Sequence, residues 1–286
     1  GLKKTDLNRI KKTIIANYDD ANADYFLNFW AERKIVFLKE TETEFNENEF
    51  IQSDKEFIRY SDIKVSEFGT SLLVNNTNIQ LKLLGRFNAV NAMTAVCVCL
   101  SQGLKLKDIK NGLEKIKGVA GRLERIDEGQ DFLVIIDYAF EPNAVEKLYE
   151  TVKIIPHNKI IHILGSTGGG RDVARRPKLG RLAGENANIV IVTNEDPYNE
   201  DPQVIIDQVA EGAIQAGKDS GKNLFKILDR REAIEKALGM ADENDIVLIT
   251  GKGSEQAICV ANGEKIPWDD RKIVKEQLKS FVDKTS

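Results

Sequence analysis

Cysteine and histidine are both scarce, with three of the first and two of the second in 286 residues. Cys97, Cys99 and Cys259 form an odd set without metal-ligand spacing, embedded in apolar stretches, which reads as reduced core thiols of a cytoplasmic protein rather than a disulfide framework or a metal site. His157 falls in a loop and His162 inside a buried-type strand, so each is assigned a structural role. No apolar run approaches the ~20 residues that span a bilayer, and nothing resembles a secretory signal, so no membrane insertion is expected. Neither sign of charge dominates: 41 Lys and Arg against 45 Asp and Glu leave a net charge of −4. That balance excludes a general nucleic-acid binder and makes any cationic site local. Internal repeats and low-complexity segments are absent. The chain begins at Gly1 rather than Met, as a processed, engineered or incomplete sequence would.

What is present is a run from Ile161 to Pro177, IHILGSTGGGRDVARRP, in which a buried-type strand breaks into three glycines and then arginines. Such a segment can turn backbone N–H groups and cations toward a phosphate or carboxylate; a flexible loop with a solvated basic tip is the plainer reading. Two common glycine motifs fail. A dinucleotide fingerprint from Gly168 and Gly170 needs Gly or Ala where Val173 stands. A P-loop ending at Gly251-Lys252 needs glycine at Ile246 and Ser or Thr at Gly253.

Size and composition, 42% hydrophobic and 30% charged, suit two domains. Before residue 118 the pattern gives a β-branched run over Thr13 to Ala16, helical periodicity over Ala21 to Arg33 and an extended stretch over Lys34 to Leu38. A meander follows from Phe45 to Leu84, pivoting at Gly69 and turning at Asn75 to Asn78, and then helices over Phe87 to Leu100 and Leu106 to Ile116. Glycines 118 and 121 mark the boundary, giving domains 1–118 and 119–286. Beyond it, strands alternate with helices: Phe132 to Ile136, Lys159 to Leu164, Ile189 to Val192, Leu224 to Ile227 and Ile246 to Ile249. Near-continuous Val and Ile runs predict a parallel sheet buried on both faces, an α/β doubly wound fold. Ligands of such sheets sit beyond the carboxyl ends of the strands, where the unusual clusters of this half fall.

Those clusters, taken in order, resemble the Mur ligases. They are Gly85-Arg-Phe-Asn-Ala-Val-Asn91, Gly118-Val-Ala-Gly-Arg122 with Glu124, Asp137-Tyr-Ala-Phe-Glu-Pro142 and Gly165-Ser-Thr-Gly-Gly-Gly-Arg-Asp172 with Arg176-Pro177. Then come Asn194-Glu-Asp-Pro197 with Glu200-Asp-Pro202, Asp229-Arg230, Gly251-Lys-Gly-Ser-Glu255 and Trp268-Asp-Asp-Arg271. Within the family they are most similar to the ATP-dependent enzymes that add the third amino acid to UDP-N-acetylmuramoyl-L-alanyl-D-glutamate in peptidoglycan synthesis. The resemblance implies that residues 1–118 are the distal part of an α/β central ATP-binding domain, with Ile15-Ala-Asn-Tyr-Asp-Asp20 as the strand after the P-loop half, and that 119–286 are the C-terminal domain. It also implies that the family's N-terminal domain, P-loop and metal-binding glutamate and histidine lie outside this chain. No metal ligands are assigned here, and the chain alone is expected to be inactive.

By resemblance the reaction takes ATP and Mg2+, phosphorylates the glutamate γ-carboxylate and lets an amine attack the acyl phosphate. Asn88 and Asn91 become nucleotide contacts, with N-capping as the alternative for Asn88. Arg122 reaches the γ-phosphate, or else makes an interdomain salt bridge. Asp137 holds the ribose hydroxyls, or else caps a helix, and Phe140 stacks on adenine where the family usually has histidine. Gly170, Arg171, Asn194, Asp196, Pro197 and Tyr198 face the substrate, as do Lys252, Ser254 and Glu255, whose carboxylate would receive the incoming ammonium group; Ser254 stands where histidine is usual. Lys3 or Lys4 falls where the family carries a carbamylated lysine, although a solvated lysine on a helix accounts for either. The partners implied are the UDP-N-acetylmuramoyl-dipeptide and a diamino acid, with no nucleic acid, and the full-length protein is expected to be a monomer. Family members that use meso-diaminopimelate carry arginine after the tripeptide matching Glu195-Asp-Pro197; Tyr198 there, amid acidic neighbours, points to L-lysine or a similar diamino acid, unless Arg175 or Arg176 supplies the cation. Other readings are a folylpolyglutamate-synthase-like amide ligase and a non-catalytic ligand-binding module that lost its ATPase half.

Overall fold

A computed structural model describes residues 11–40 and 55–285, with side chains through residue 280. The chain divides into two compact units, residues 1–117 and 118–286.

In the first unit, β1 (Thr13–Asn17), β2 (Arg33–Lys39) and β3 (Lys55–Ser66) pair in parallel, and β4 (Gly69–Val74) and β5 (Thr77–Leu81) extend the sheet antiparallel. The helical periodicity over Ala21 to Arg33 yields only a short helix, α1 (Ala23–Leu27), which buries Ala23 and Leu27. The hairpin pivot lies at Glu67-Phe68, one step before Gly69, which opens β4 at φ 146° with its α-carbon against the Leu81 carbonyl. Asn75 and Asn76 form a two-residue turn, both at positive φ, which asparagine tolerates and a right-twisted hairpin demands. Helix α2 (Arg86–Ser101) lays Ala89, Ala92, Met93, Val96 and Cys97 on the sheet residues Ile35, Phe37, Ile58, Leu72 and Ile79. Burial pushes the Cys97 thiol up to about 12, so it is an inert core group. Helix α3 (Leu106–Leu113) closes the unit's described elements.

The second unit is a six-stranded sheet in the order β10-β9-β8-β11-β7-β6. Its strands are β6 (Glu124–Ile126), β7 (Leu133–Ile136), β8 (Ile160–Leu164), β9 (Ile189–Thr193), β10 (Leu224–Ile227) and β11 (Ile246–Ile249). All neighbours are parallel except β6 with β7. Helices α4 (Pro142–Val152), α5 (Arg175–Asn186) and α6 (Pro202–Gln215) belong to crossovers running one way along the sheet; α7 (Arg230–Gly239) belongs to the return crossover. Right-handed connections therefore set α4 to α6 on one face and α7 on the other. The buried cluster agrees: Ile161, Ile163, Ile191, Val247 and Ile249 pack on Ala233, Ile234 and Leu238 of α7 and on Ile273 and Val274 of α8 (Asp270–Thr285). Every residue of β8 is buried, as expected of a strand covered on both faces. A hairpin, β12 (Ala257–Cys259) with β13 (Lys265–Pro267), precedes α8.

Helices α5 and α6 approach until their backbones touch, which glycine alone permits. A Cβ on Gly180 would fall 1.7 Å from the Val209 carbonyl oxygen, and one on Gly212 would fall 1.9 Å from that of Pro177. Gly180→Ala should therefore destabilise the chain by at least the ~1–3 kcal/mol of an overpacked core. A lowered urea midpoint checks this; an unchanged midpoint would contradict the close approach.

Candidate active site

Four loops leave the carboxyl ends of parallel strands in the second unit: 137–141 after β7, 165–174 after β8, 194–201 after β9 and 250–256 after β11. Parallel strands make them open at one edge of the sheet. Lys252, with 0% exposure, joins two of them: its ammonium lies 2.7 Å from Asp196 Oδ1 and 2.8 Å from Glu255 Oε2. Burial disfavours the charge, but the two carboxylates outweigh it and hold the pKa above the ordinary lysine value. The Cys259 N–H also donates to Asp196 Oδ1 at 2.7 Å, which ties the hairpin to the same point.

Glycine makes this closeness possible. The α-carbon of Gly251, at φ 102°, sits where a Cβ would strike Glu195 Oε2 at 2.3 Å, and a Cβ on Gly121 would strike Ser254 N at 2.1 Å. Glu195 is buried, accepts the Thr167 hydroxyl at 2.8 Å and keeps Oε2 unpartnered. Burial raises its pKa against the opposing charges of Arg230 and Lys252.

The loop after β7 stacks its side chains. The Arg122 guanidinium, exposed, lies 4.3 Å from the centre of the Tyr138 ring; Phe140 packs edge-on at 5.0 Å; the Tyr138 hydroxyl donates to Glu255 Oε1 at 3.1 Å. Asp137 accepts the N–H groups of Leu123 and Ala139, each at 2.7 Å. Burial pushes its pKa up, opposed by those two N–H groups and by Arg122. The cap of α4 is Glu141, so Asp137 is not spent on capping that helix.

The loop after β8 departs from the open anion cradle that its glycines suggest. Gly168 N–H donates to the Asp196 carbonyl at 2.8 Å and Gly170 N–H to Glu200 Oε1 at 3.2 Å. The anion is thus supplied from inside the fold. Arg176, buried, holds Glu200 at 2.8 Å, Gln208 at 2.8 Å and the Thr167 carbonyl at 3.3 Å, and its charge pulls the Glu200 pKa down. Arg175, also buried, pairs with Glu141 and lies 5.5 Å from the centre of the Phe140 ring. Arg171 remains exposed at the loop tip.

Tyr198 adopts a left-handed φ of 52°, costly for an aromatic residue, and is held there by its N–H to the Cys259 carbonyl at 3.0 Å. Hydrogen bonding to Cys259, with some burial, raises its phenol pKa. Asp201 caps α6 through the Gln203 N–H, as its Asp-Pro sequence suggests. Of the sequence-named residues, the second unit brings together Asp196, Lys252 and Glu255 directly, with Tyr198 alongside through Cys259. Arg122 and Asp137 join through the 121–138 contacts, and Phe140 through the Tyr138 ring. Asn194, Pro197 and Ser254 lie within the same loops.

In the first unit, Asn88 is not the cap of α2, which is Gly85; its amide donates to the Leu84 carbonyl at 2.7 Å, and Asn91 donates to Asn88 Oδ1 at 3.2 Å. The pair shares one helix face, with Asn91 exposed. In the Asn17-Tyr-Asp-Asp20 segment, Asp19 accepts the Lys39 N–H and the Tyr60 hydroxyl at 3.0 Å each, and Asp20 accepts the Asn22 N–H at 2.8 Å. Lys3 and Lys4 lie outside the described residues. Sequence reasoning gave no role to Tyr138 and read Cys259 only as a core thiol, whereas it is half-buried and holds Asp196 and Tyr198 through its backbone; only the folded loops reveal these partners.

An open, mostly parallel α/β sheet with clustered loops at its carboxyl edge defines the class. Comparison with known proteins gives the family. The family described as Mur ligase, glutamate ligase domain, matches residues 121–253, and that described as Mur ligase middle domain matches residues 4–99. A UDP-N-acetylmuramyl-tripeptide synthetase of Roseiflexus sp. (strain RS-1) is 39% identical over 217 residues, covering 74% of this chain and 42% of that protein. A UDP-N-acetylmuramoyl-L-alanyl-D-glutamate--2,6-diaminopimelate ligase of Syntrophomonas wolfei is 35% identical over 221 residues, covering 77% and 44%. A solved structure of a ligase with that second name superposes with a TM-score of 0.57 at 28% identity over 95% of this chain and 54% of that one. The chain belongs to the Mur ligase family, spanning less than half the length of these two curated relatives.

Beneath the site, His162 is fully buried, its Nδ1 2.6 Å from the Tyr149 hydroxyl and its Nε2 3.0 Å from that of Thr250. Burial pushes its pKa from 6.5 down to about 3, so the imidazole is neutral. A depressed histidine contributes stability that is full above the unfolded value and lost as pH falls through it, because only the unfolded chain takes the proton. Unfolding free energy should drop by roughly 1.5 kcal/mol between pH 6.5 and about 5. His162→Gln should flatten that slope; an unchanged slope would show that other groups cause it.

Proposed function

We propose that this chain supplies the middle and C-terminal parts of an ATP-dependent ligase that adds the third amino acid to UDP-N-acetylmuramoyl-L-alanyl-D-glutamate. In this reading residues 1–118 are the distal part of the ATP-binding domain and 119–286 the Rossmann-like C-terminal domain. The observation that carries it is the joining of the 194–201 and 250–256 loops by Lys252, together with relatives of that activity at 35 to 39% identity.

ATP, when bound, supplies the phosphoryl group that converts the glutamate carboxylate into an acyl phosphate. Each unit by itself offers groups suited to a nucleotide: in the second, Asp137 has one N–H on each carboxylate oxygen and lone pairs left for ribose hydroxyls; in the first, the exposed Asn91 amide suits an adenine edge. Arg122 offers a guanidinium to phosphate oxygens. Magnesium fits less well, since no group of three His, Cys, Asp or Glu able to hold a metal occurs among the described residues, and no step is assigned to it. Lys4 as a carbamylated ligand rests on resemblance alone.

Glu255, about 40% exposed and fixed by Lys252 and Tyr138, is placed to receive the α-ammonium of the incoming amino acid. Arg171 would face its carboxylate, beside Gly170, whose own N–H is held by Glu200. Tyr198, Asp196 and Asn194 line the side-chain end, with Pro197 shaping the turn, and Ser254 stands beside Glu255. Tyr198 brings no cation, and Arg176 and Arg175 put their charges into pairs with Glu200 and Glu141, although Arg176 Nε and Arg175 Nε and Nη2 keep no partner among the described residues; with Glu195 Oε2 also unpartnered, the side-chain end suits an ammonium better than a carboxylate.

A ligation assay on a full-length enzyme carrying this sequence tests the reading. Asn91→Ala, Arg122→Ala and Asp137→Ala should each lower kcat/KM at least about tenfold, and L-lysine should outcompete meso-diaminopimelate. Wild-type rates in all three variants would remove the nucleotide assignment, and a tenfold preference for diaminopimelate would overturn the choice of amino acid.

A further inference from the structure

The Arg230–Asp270 pair lies below the loops, and of its interactions only the charge of Arg230 on Glu195 has been described so far. Arg230 follows β10 at the start of α7, and Asp270 opens α8; their exposures are 2% and 0%. The fork is bidentate, Nε to Oδ1 at 2.8 Å and an Nη to Oδ2 at 2.7 Å. Trp268 Nε1 adds a third donor to Asp270 Oδ1 at 2.7 Å. The same guanidinium then donates outward to two backbone carbonyls, Asn194 at 3.3 Å and Thr250 at 2.9 Å.

Those two carbonyls begin the loops after β9 and β11, strands separated in the sheet by β8. Arg230 is therefore a brace beneath the span that Lys252 and Asp196 close above. An ion pair this buried is an expensive way to stabilise a core, and well-packed apolar residues often do as well. What apolar residues cannot do is hold two carbonyls in fixed directions, which the planar guanidinium does while its carboxylate partner stops it rotating.

We infer that Arg230, oriented by Asp270, is a positioning residue for the amino-acid subsite: it sets the separation of Tyr198 and Asp196 from Lys252 and Glu255. The inference rests on the ligase reading for its kinetic consequence and on geometry alone for its structural one. Lysine at 230 keeps the charge but cannot pair bidentately with Asp270 and reach both carbonyls.

Two measurements separate the two levels. Hydrogen exchange on the chain itself should show Arg230→Lys losing protection at 194–199 and 250–256, while 160–164 and 189–193 stay as in the wild type. In the full-length ligase, Arg230→Lys should raise KM for the amino acid at least tenfold, with KM for ATP changed less than twofold. Trp268→Phe, which removes one donor to Asp270 and leaves the pair, should move both readouts in the same direction by a smaller amount. Loop protection unchanged in Arg230→Lys would overturn the inference, and so would parallel rises in KM for ATP and amino acid or lost protection across β8 and β9. An inactive wild-type ligase would instead count against the ligase reading, leaving the exchange result to decide the brace.

Discussion

One ammonium organises the carboxyl edge of the second unit. Lys252 is withdrawn from water and held by Asp196 and Glu255, and removing either carboxylate would leave a buried charge undercompensated. Around that constraint the remaining choices fall into place. Gly251 and Gly253 take positive φ so that the β11 loop can pass close to Glu195 and Tyr138. The β12–β13 hairpin delivers the Cys259 N–H to Asp196 and its carbonyl to Tyr198, which fixes a left-handed tyrosine beside the same carboxylate. Two acidic residues are thereby aimed at one place, one of them with part of its surface open.

The electrostatic character follows from which charges are already spent. Arg176, Arg175 and Arg230 are buried and paired, so the arginine-rich look of the 171–176 run leaves Arg171 as its exposed guanidinium. On the acidic side, Glu200 is consumed by Arg176 and by the Gly170 N–H, whereas Glu255 keeps exposed surface. The edge therefore presents one accessible cation at the glycine loop and an accessible carboxylate at the β11 loop, the charge pattern of a zwitterionic amino acid.

Much of this was legible in the sequence, for identifiable reasons. Strands β7, β8, β9 and β11 announce themselves because burial on both faces demands near-continuous Val, Ile and Leu; the edge strand β10 exposes Lys226, yet Leu224–Ile227 and Ile246–Ile249 both match the expected bounds. Strands β6, β12 and β13 are three residues each and carry no such pattern. Helix α1 is shorter than its periodicity suggested; Tyr25, Phe26, Phe29 and Trp30 give the right spacing for an apolar face, yet they stand exposed. At the site, sequence named the loops but not their internal spending: that Glu200 would occupy the glycine N–H groups, or that Arg230 would reach two carbonyls, depends on distances only the folded sheet sets.

The account turns on the claim that the loops joined by Lys252 form a binding site for an amino acid with a side-chain ammonium. Titrating the 15N-labelled chain with L-lysine and following backbone amide shifts tests it most directly. Saturable shifts at millimolar ligand, concentrated at 168–171, 194–200 and 252–259 and abolished by Glu255→Gln, are the predicted result. Saturable shifts centred elsewhere, or a Glu255→Gln chain that responds like the wild type, would contradict it.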